Sequence, residues 1–197
     1  MFRKLLYLLL IVFSAVMVSC GDKENDEPDY PGSDEPLPEI PADSKILVAY
    51  FSWGGTTQRM AQAIADLTGA DLYRIVPAVP YPTDYTECTQ VARAELDNNA
   101  RPAINGTVGN FDDYDIVFIG CPVWWHTTPM IINTFTESYD FEGKIVVPFC
   151  TYASTYRDET LANIVALTPK ASHLRGYGST GNTSGVEGWL RQIGIIK

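Results

Sequence analysis

Ser52, Thr56 and Thr57 surround Gly54 and Gly55 directly after the apolar run Ile46 to Phe51, and that mixture of hydroxyls and glycines can hold an anion. Glycine lets the backbone close around a ligand, and a helix starting at such a turn offers unpaired amide hydrogens and partial positive charge. The hydroxyls add donors. Thr57 is followed by Gln58 rather than lysine, which excludes a nucleoside-triphosphate loop. Tyr50 stands where a hydrolase elbow needs glycine, two residues before Ser52. A hydrolase pairing Ser52 with a histidine therefore stands only as an alternative.

Two other segments carry side chains suited to a flat ligand. Pro122, Val123, Trp124, Trp125 and His126 put two large rings in a loop, and Thr151, Tyr152, Ala153 and Ser154 form a small hydroxylated loop with a ring of its own. A phosphate pocket beside aromatic walls suits a molecule with a phosphate at one end and a planar ring at the other. His126, beside the tryptophans, has two readings: a donor to such a ring or to a substrate, or an exposed loop histidine with no role. Neither His126 nor His173 has metal-ligand spacing to another histidine or to a cysteine pair, so no metal site is expected. Gly176-Tyr-Gly-Ser-Thr-Gly181 matches a dinucleotide fingerprint in letters. The chain stops at Lys197, before the strand and acid that such a unit requires, so the motif reads as a glycine-rich edge turn.

These loops need a scaffold, and the apolar pattern supplies one. Ile46 to Phe51 is a continuous apolar run, the mark of a strand covered on both faces in a parallel sheet. Met60, Ala61, Ile64 and Leu67 recur at helical spacing after it. Asp71 to Val76 reads as a second strand, and Tyr85 to Asn98 as a helix with Cys88, Val91, Ala92 and Glu95 on one side. Asp115 to Gly120 is the clearest buried strand, with Pro122 to Thr128 as a loop. A helix follows from Pro129, capped by Thr128. Lys144 to Cys150 is a fourth strand despite Pro148, followed by a helix containing Leu161, Ile164 and Val165. Ser172 to Gly176 is a short last strand. The final helix starts at a Ser184–Glu187 capping box and buries Val186, Trp189, Leu190 and Ile193. Alternating strands and helices predict an α/β three-layer sandwich with one five-stranded parallel sheet. In such sheets ligands bind beyond the carboxyl ends of the strands, where all three loops fall.

The two ends differ from this pattern. Arg3 and Lys4 precede an apolar run from Leu5 to Val18 that is too short to span a bilayer, and residues 1–19 read as an export signal. Cys20 after small residues resembles the lipobox of bacterial lipoproteins, which makes it the expected lipidated residue. Residues 20–44 are acidic and proline-rich, and read as a disordered tether. Of the formal charge of −10, residues 1–20 carry +2, residues 21–44 carry −8 and residues 45–197 only −4. A mildly acidic domain at 45–197 argues against nucleic acid as a partner. The expected localisation is the periplasmic side of a membrane or the cell surface, with contact to the membrane through the lipid only. Cys88, Cys121 and Cys150 read as buried free thiols, because Cys121 and Cys150 end adjacent parallel strands where a bridge is awkward.

Tyr50-Phe-Ser-Trp-Gly-Gly-Thr-Thr57 resembles the Ser-x-Thr-Gly-x-Thr phosphate loop of the flavodoxin family, with Ser52, Gly55 and Thr57 in register and Gly54 in place of threonine. Gly120-Cys-Pro-Val-Trp-Trp125 resembles the family's second loop and Phe149-Cys-Thr-Tyr-Ala-Ser154 its third. The likeness covers nearly all of residues 45–197 and is closest to short bacterial flavodoxin-like proteins, as are Tyr81-Pro-Thr-Asp-Tyr85, Glu95 and Arg101-Pro102. It implies strand order 2-1-3-4-5 and FMN held noncovalently. The implied cofactor-binding residues are Ser52, Trp53, Gly54, Gly55, Thr56 and Thr57 in the first loop. Pro122, Val123, Trp124, Trp125 and His126 follow in the second, with Thr151, Tyr152, Ala153 and Ser154 in the third. The implied role is electron transfer with a redox partner protein or a small-molecule acceptor. A flavin-dependent reductase of quinones or similar molecules is one alternative, and a flavin-free lipoprotein binding module is another. No side chain is required as acid or base.

Overall fold

The computed structural model describes residues 40–41 and 43–197. The export signal, Cys20 and nearly all of the tether lie outside the described residues. Five principal strand positions form one parallel sheet. Strand β1 (Ile46–Tyr50) leads through α1 (Thr56–Thr68) to β2 (Asp71–Arg74), and a short β3 (Val76–Pro77) follows. Helix α2 (Tyr85–Asp97) precedes β4 (Ile104–Asn105), which pairs antiparallel with β3. Then come β5 (Ile116–Pro122), α3 (Met130–Glu137), β6 (Ile145–Thr151) and α4 (Arg157–Leu167). The chain closes with β7 (Ser172–His173), β8 (Tyr177–Ser179) and α5 (Val186–Gln192). The sheet order is β2-β1-β5-β6-β7, with β8 also on β6. Counting only the principal strands, this is the expected 2-1-3-4-5.

Side chains alternate across the sheet and build two cores. Val48, Tyr50, Phe118 and Val147 face α1 and α5, where they meet Met60, Ile64, Trp189 and Leu190. Leu47, Ala49, Val117 and Ile119 face α3 and α4, against Ile131, Ile132, Phe135 and Ile164. Both faces of β1, β5 and β6 are therefore dry, which is why their sequences lack polar alternation. Gly120 completes the fit: a methyl there would lie 1.9 Å from the Phe149 ring, its cross-strand neighbour.

Several local expectations are corrected. Pro148 sits inside β6 as expected, paired with Ile119, but the strand expected at Ser172 to Gly176 is broken by it. Ser172 N–H donates to the Lys144 carbonyl and Leu174 N–H to that of Val146. In a parallel ladder the next rung runs from the amide of residue 148 back to Leu174. Proline has no such hydrogen, and the fifth strand accordingly splits into β7 and β8. The expected strand at 71–76 is divided likewise, with Ile75 fully buried between β2 and β3. Pro122 belongs to β5 instead of opening a loop. Pro129 occupies the cap position of α3, and the Thr128 hydroxyl accepts from Asn163 instead of capping. Gly185 caps α5, and no Ser184–Glu187 box forms. Leu67 and Val91 face solvent at 40% and 38% exposure.

Candidate functional site

The carboxyl ends of β1, β5 and β6 bring the three loops to one rim. In the first, the amide of Gly55 donates to the Ser52 hydroxyl at 3.1 Å, which turns that buried hydroxyl back into the loop and sets the backbone for α1. Gly55 adopts φ +84°, a conformation suited to glycine. Below, the Thr57 and Thr151 hydroxyls are hydrogen bonded at 2.7 Å in the buried interior, tying the first loop to the third. The Arg74 guanidinium donates to the Ser52 carbonyl at 3.4 Å and supports the loop from β2.

The upper side of this loop remains chemically open. The amides of Thr56, Thr57 and Gln58 precede the first helical hydrogen bond, which Arg59 makes to the Gly55 carbonyl. No side chain caps them, and the first turn of α1 has no acid. A methyl on Gly54 would meet nothing within 4 Å. The result is an uncapped cradle of amides with net positive potential.

The second loop is a tight reversal. Trp124 and Thr127 exchange backbone hydrogen bonds of 3.0 Å in both directions, while Trp125 and His126 between them hold φ of 47° and 69°. Two consecutive residues at positive φ make a type I′ turn; histidine tolerates that region better than most side chains, but the bulky Trp125 does not, so its conformation costs of order 1–2 kcal/mol. Strain of this kind clusters where a ligand is held. The geometry throws both rings outward. The Trp125 indole donates to the Thr89 carbonyl at 3.0 Å and lies 5.2 Å under the Arg93 guanidinium. His126 stacks on Tyr156 of the third loop at 3.7 Å between centroids. Trp124 turns inward and packs edge-on against Phe51 and Tyr81, at 5.3 and 5.0 Å.

A cavity of about 530 Å³ opens among these loops. Trp53, Val123, Trp124, Trp125, His126 and Ala153 supply one part of its lining. Helix α2 supplies the rest through Tyr85, Cys88, Thr89 and Ala92; the sequence pattern assigned none of these four to the site, and all are additions. The reason for their placement lies in the β3–β4 ribbon, which with the Ala78 to Ala103 hydrogen bond at 2.7 Å closes the base of an excursion that carries α2 to the rim. Trp53 fixes this excursion too, since its indole donates to the Pro82 carbonyl at 2.8 Å. The Tyr81–Pro82–Tyr85 segment and Glu95 stand out in the sequence as shared with short homologues, without a role. In the structure Tyr81 donates to Glu95 at 2.8 Å behind Trp124. Burial pushes the Glu95 carboxyl above its usual range, and the Tyr81 hydrogen bond partly restores it.

Of the fifteen expected site residues, the described structure places Trp53, Val123, Trp124, Trp125, His126 and Ala153 on the cavity. Gly54, Gly55 and Thr56 lie at the cradle. Ser52, Thr57 and Thr151 are buried beneath as supports. Pro122 ends β5, while Tyr152 and Ser154 flank Ala153 without lining the cavity. None of the lining residues is a carboxylate, so acid charge does not stand against the ring slot. Ser52 is 3% exposed and its hydroxyl accepts from the Gly55 amide, while His126 stacks on Tyr156 and His173 is hydrogen bonded to Thr168; neither histidine is paired with Ser52, and the hydrolase alternative fails on this geometry. Gly176 to Gly181 forms an edge turn rather than the start of a strand-helix-strand unit. Among the described residues no group of three His, Cys, Asp or Glu side chains is arranged to hold a metal.

A doubly wound sheet with an amide cradle at the first crossover and aromatic loops on the same rim is the architecture of flavodoxin-like proteins. A family model described as Flavodoxin matches residues 45–192, and the chain belongs to that family. A crystal structure of a candidate flavoprotein from Bacteroides eggerthii is 37% identical, covers 79% of this chain and 100% of its own, and superposes with a TM-score of 0.71. A flavoprotein from Lactobacillus acidophilus, solved in complex with FMN, shares the fold at a TM-score of 0.64 and 23% identity, covering 74% of this chain and 98% of its own. An NAD(P)H dehydrogenase (quinone) of Acidovorax ebreus is 29% identical over 136 residues, which are 62% of this chain and 64% of that relative. The chain thus spans just under two thirds of that relative's length.

Proposed function

We propose that this chain binds FMN and passes electrons through it, held at a membrane outside the cytoplasm by a lipid on Cys20. One observation carries the reading: the amide cradle of Thr56 to Gln58 and the aromatic cavity lie on one rim, joined through Trp53, which belongs to the first loop and lines the cavity. The residues fit both ends of the cofactor. The uncapped, acid-free helix start suits a phosphate, and the indoles of Trp53 and Trp125 with the edge of Trp124 suit a flat ring. When bound, FMN supplies the centre that takes up and releases electrons. The protein holds the ring, and its largely aromatic and apolar cavity lining, without a carboxylate, sets the polarity around it. The Lactobacillus relative solved with FMN supports this choice of ligand.

A second reading, an FMN-dependent reductase of quinones or similar small molecules, has its own support. Trp53 and Trp125 are 37% and 41% exposed at the cavity mouth, so a flat acceptor has access, and the Acidovorax relative is named for quinone reduction. The expected partner is thus a redox protein or a small acceptor.

Titration of the flavin-free protein with FMN, followed by flavin fluorescence and the visible spectrum, tests the cofactor. Quenching that saturates at micromolar FMN supports the reading. An unchanged spectrum and fluorescence would leave the flavin-free binding module. Sustained NADH or NADPH oxidation in the presence of a quinone selects the reductase over the carrier.

A further inference from the structure

Arg59 is in the first turns of α1, on the side facing the cradle. Its guanidinium donates to the Thr56 hydroxyl at 3.4 Å. A methyl built on Gly55 would lie 3.9 Å from Nη1, and one built on Gly181 would lie 3.9 Å from Nη2. The cation therefore bridges the mouth between the phosphate-type loop and the glycine turn that resembles a dinucleotide fingerprint. That turn is itself locked. The Ser179 hydroxyl accepts from the Gly181 amide at 3.0 Å and donates to the Asn182 carbonyl at 2.6 Å. Gly181 has φ +110°, and any side chain there would strike the Thr56 methyl at 2.8 Å. Its last glycine thus lets the turn press against the cradle as a second wall.

The charge is in the wrong place for the helix alone. A cation near a helix N-terminus opposes the macrodipole, no acid occupies the first turn, and among the described residues Arg59 has no ion pair. An acidic chain that leaves an arginine unneutralised beside free amides has gathered positive potential at one point. A bound dianion resolves the conflict, since it satisfies the amides and the guanidinium together.

We propose that Arg59 is the residue that selects the phosphomonoester of the ligand, so that the site takes a flavin monophosphate in preference to free flavin. The inference rests on the FMN reading and extends it to the basis of discrimination. Arg59 contacts neither the cavity nor any core cluster, so its removal leaves the ring slot intact.

The experiment measures dissociation constants for FMN and riboflavin with the purified full chain, its Arg59→Gln and Arg59→Lys variants, and Lys170→Gln. The last removes one charge near the amino ends of the strands. Wild type should favour FMN over riboflavin by at least about tenfold. Arg59→Gln should weaken FMN by roughly tenfold or more and leave riboflavin within about twofold. Arg59→Lys should recover part of the loss, and added salt should weaken FMN binding more in wild type than in Arg59→Gln. Equal weakening of both flavins, an unchanged FMN constant, or the same effect from Lys170→Gln overturns the role of Arg59 while the FMN reading stands. Wild type that binds riboflavin as tightly as FMN overturns it as well. Wild type that binds neither flavin overturns the FMN reading and this inference with it.

Discussion

Tyr81→Phe removes one oxygen from the wall behind the ring slot and leaves the ring itself in place against Phe51 and Trp124. The lost interaction is the 2.8 Å hydrogen bond to Glu95. Hydrogen bonds to charged groups contribute about 1.5–3 kcal/mol and neutral ones about 0.5–1.5. Glu95 is half-buried, so water reaches the vacated acceptor and the cost falls near the boundary, at about 1–1.5 kcal/mol. For a domain of this size that lowers Tm by roughly 3–5 °C. The pH dependence adds a sign. Burial raises the folded Glu95 carboxyl above its ordinary 4.5, and the Tyr81 bond opposes that rise. A carboxyl raised on folding binds more protons in the native state, so its contribution is fully present below 4.5 and is lost as pH climbs through the folded value. Without Tyr81 the folded value climbs further. The stability gap between wild type and Tyr81→Phe should therefore widen from acid to neutral pH, and Glu95→Gln should flatten it. Thermal unfolding followed by circular dichroism at a series of pH values measures both. A gap that is absent at neutral pH, or that is widest in acid, would refute the reasoning.

Gly120→Ala should cost more than an ordinary core change, because its methyl meets three ring atoms of fully buried Phe149 at 1.9 to 2.5 Å. Overpacking of this kind costs about 1–3 kcal/mol, and Phe149→Leu in the same chain should recover part of it, a coupling that denaturant titration reads directly. The thiols of Cys88, Cys121 and Cys150 should be silent to Ellman's reagent in a Cys20→Ser background until the protein unfolds. Burial holds Cys121 well above the usual thiol range and Cys150 up at about 12, and Cys88 is buried beside the cavity; rapid reaction of any of them in the native state contradicts their placement.

Much of this architecture was legible because burial on two faces leaves a one-dimensional trace. Ile46 to Phe51, Ile116 to Ile119 and Ile145 to Val147 are apolar without alternation, and each became a strand with helices on both sides. The loops between them followed from the same runs, which is how Trp53, Trp124 and Trp125 were found together at the rim. Caps were less legible. A Ser184–Glu187 pair or a Thr128 before proline states only that a cap could form, and the direction from which the chain enters decided against both. The turn at Trp125 and His126 left no trace, since neither position carries the Asn-Gly, Asp-Gly or Gly-Gly pair that marks such a turn. Pro148 carried its consequence to a strand that its own position does not name, because a missing donor matters to the neighbour that would have accepted it.

Helix α2 shows why the other half of the cavity stayed hidden. It buries only Cys88 and Ala92, neither of which joins the two main cores, so its amphipathic pattern says little about where it lies. What places it is a set of tethers: the β3–β4 ribbon at its base and the Arg101–Glu137 pair beside it. Two indole hydrogen bonds complete the set, from Trp53 to Pro82 and from Trp125 to Thr89. The same tryptophans thus form the slot and hold its far wall. A ring entering between them must press on both anchors, so the width of the slot and the position of α2 are one structural variable. Binding at the cavity should then protect the amides of α2 from hydrogen exchange more than those of α4, which has no indole anchor, and that coupling follows from where two N–H groups point.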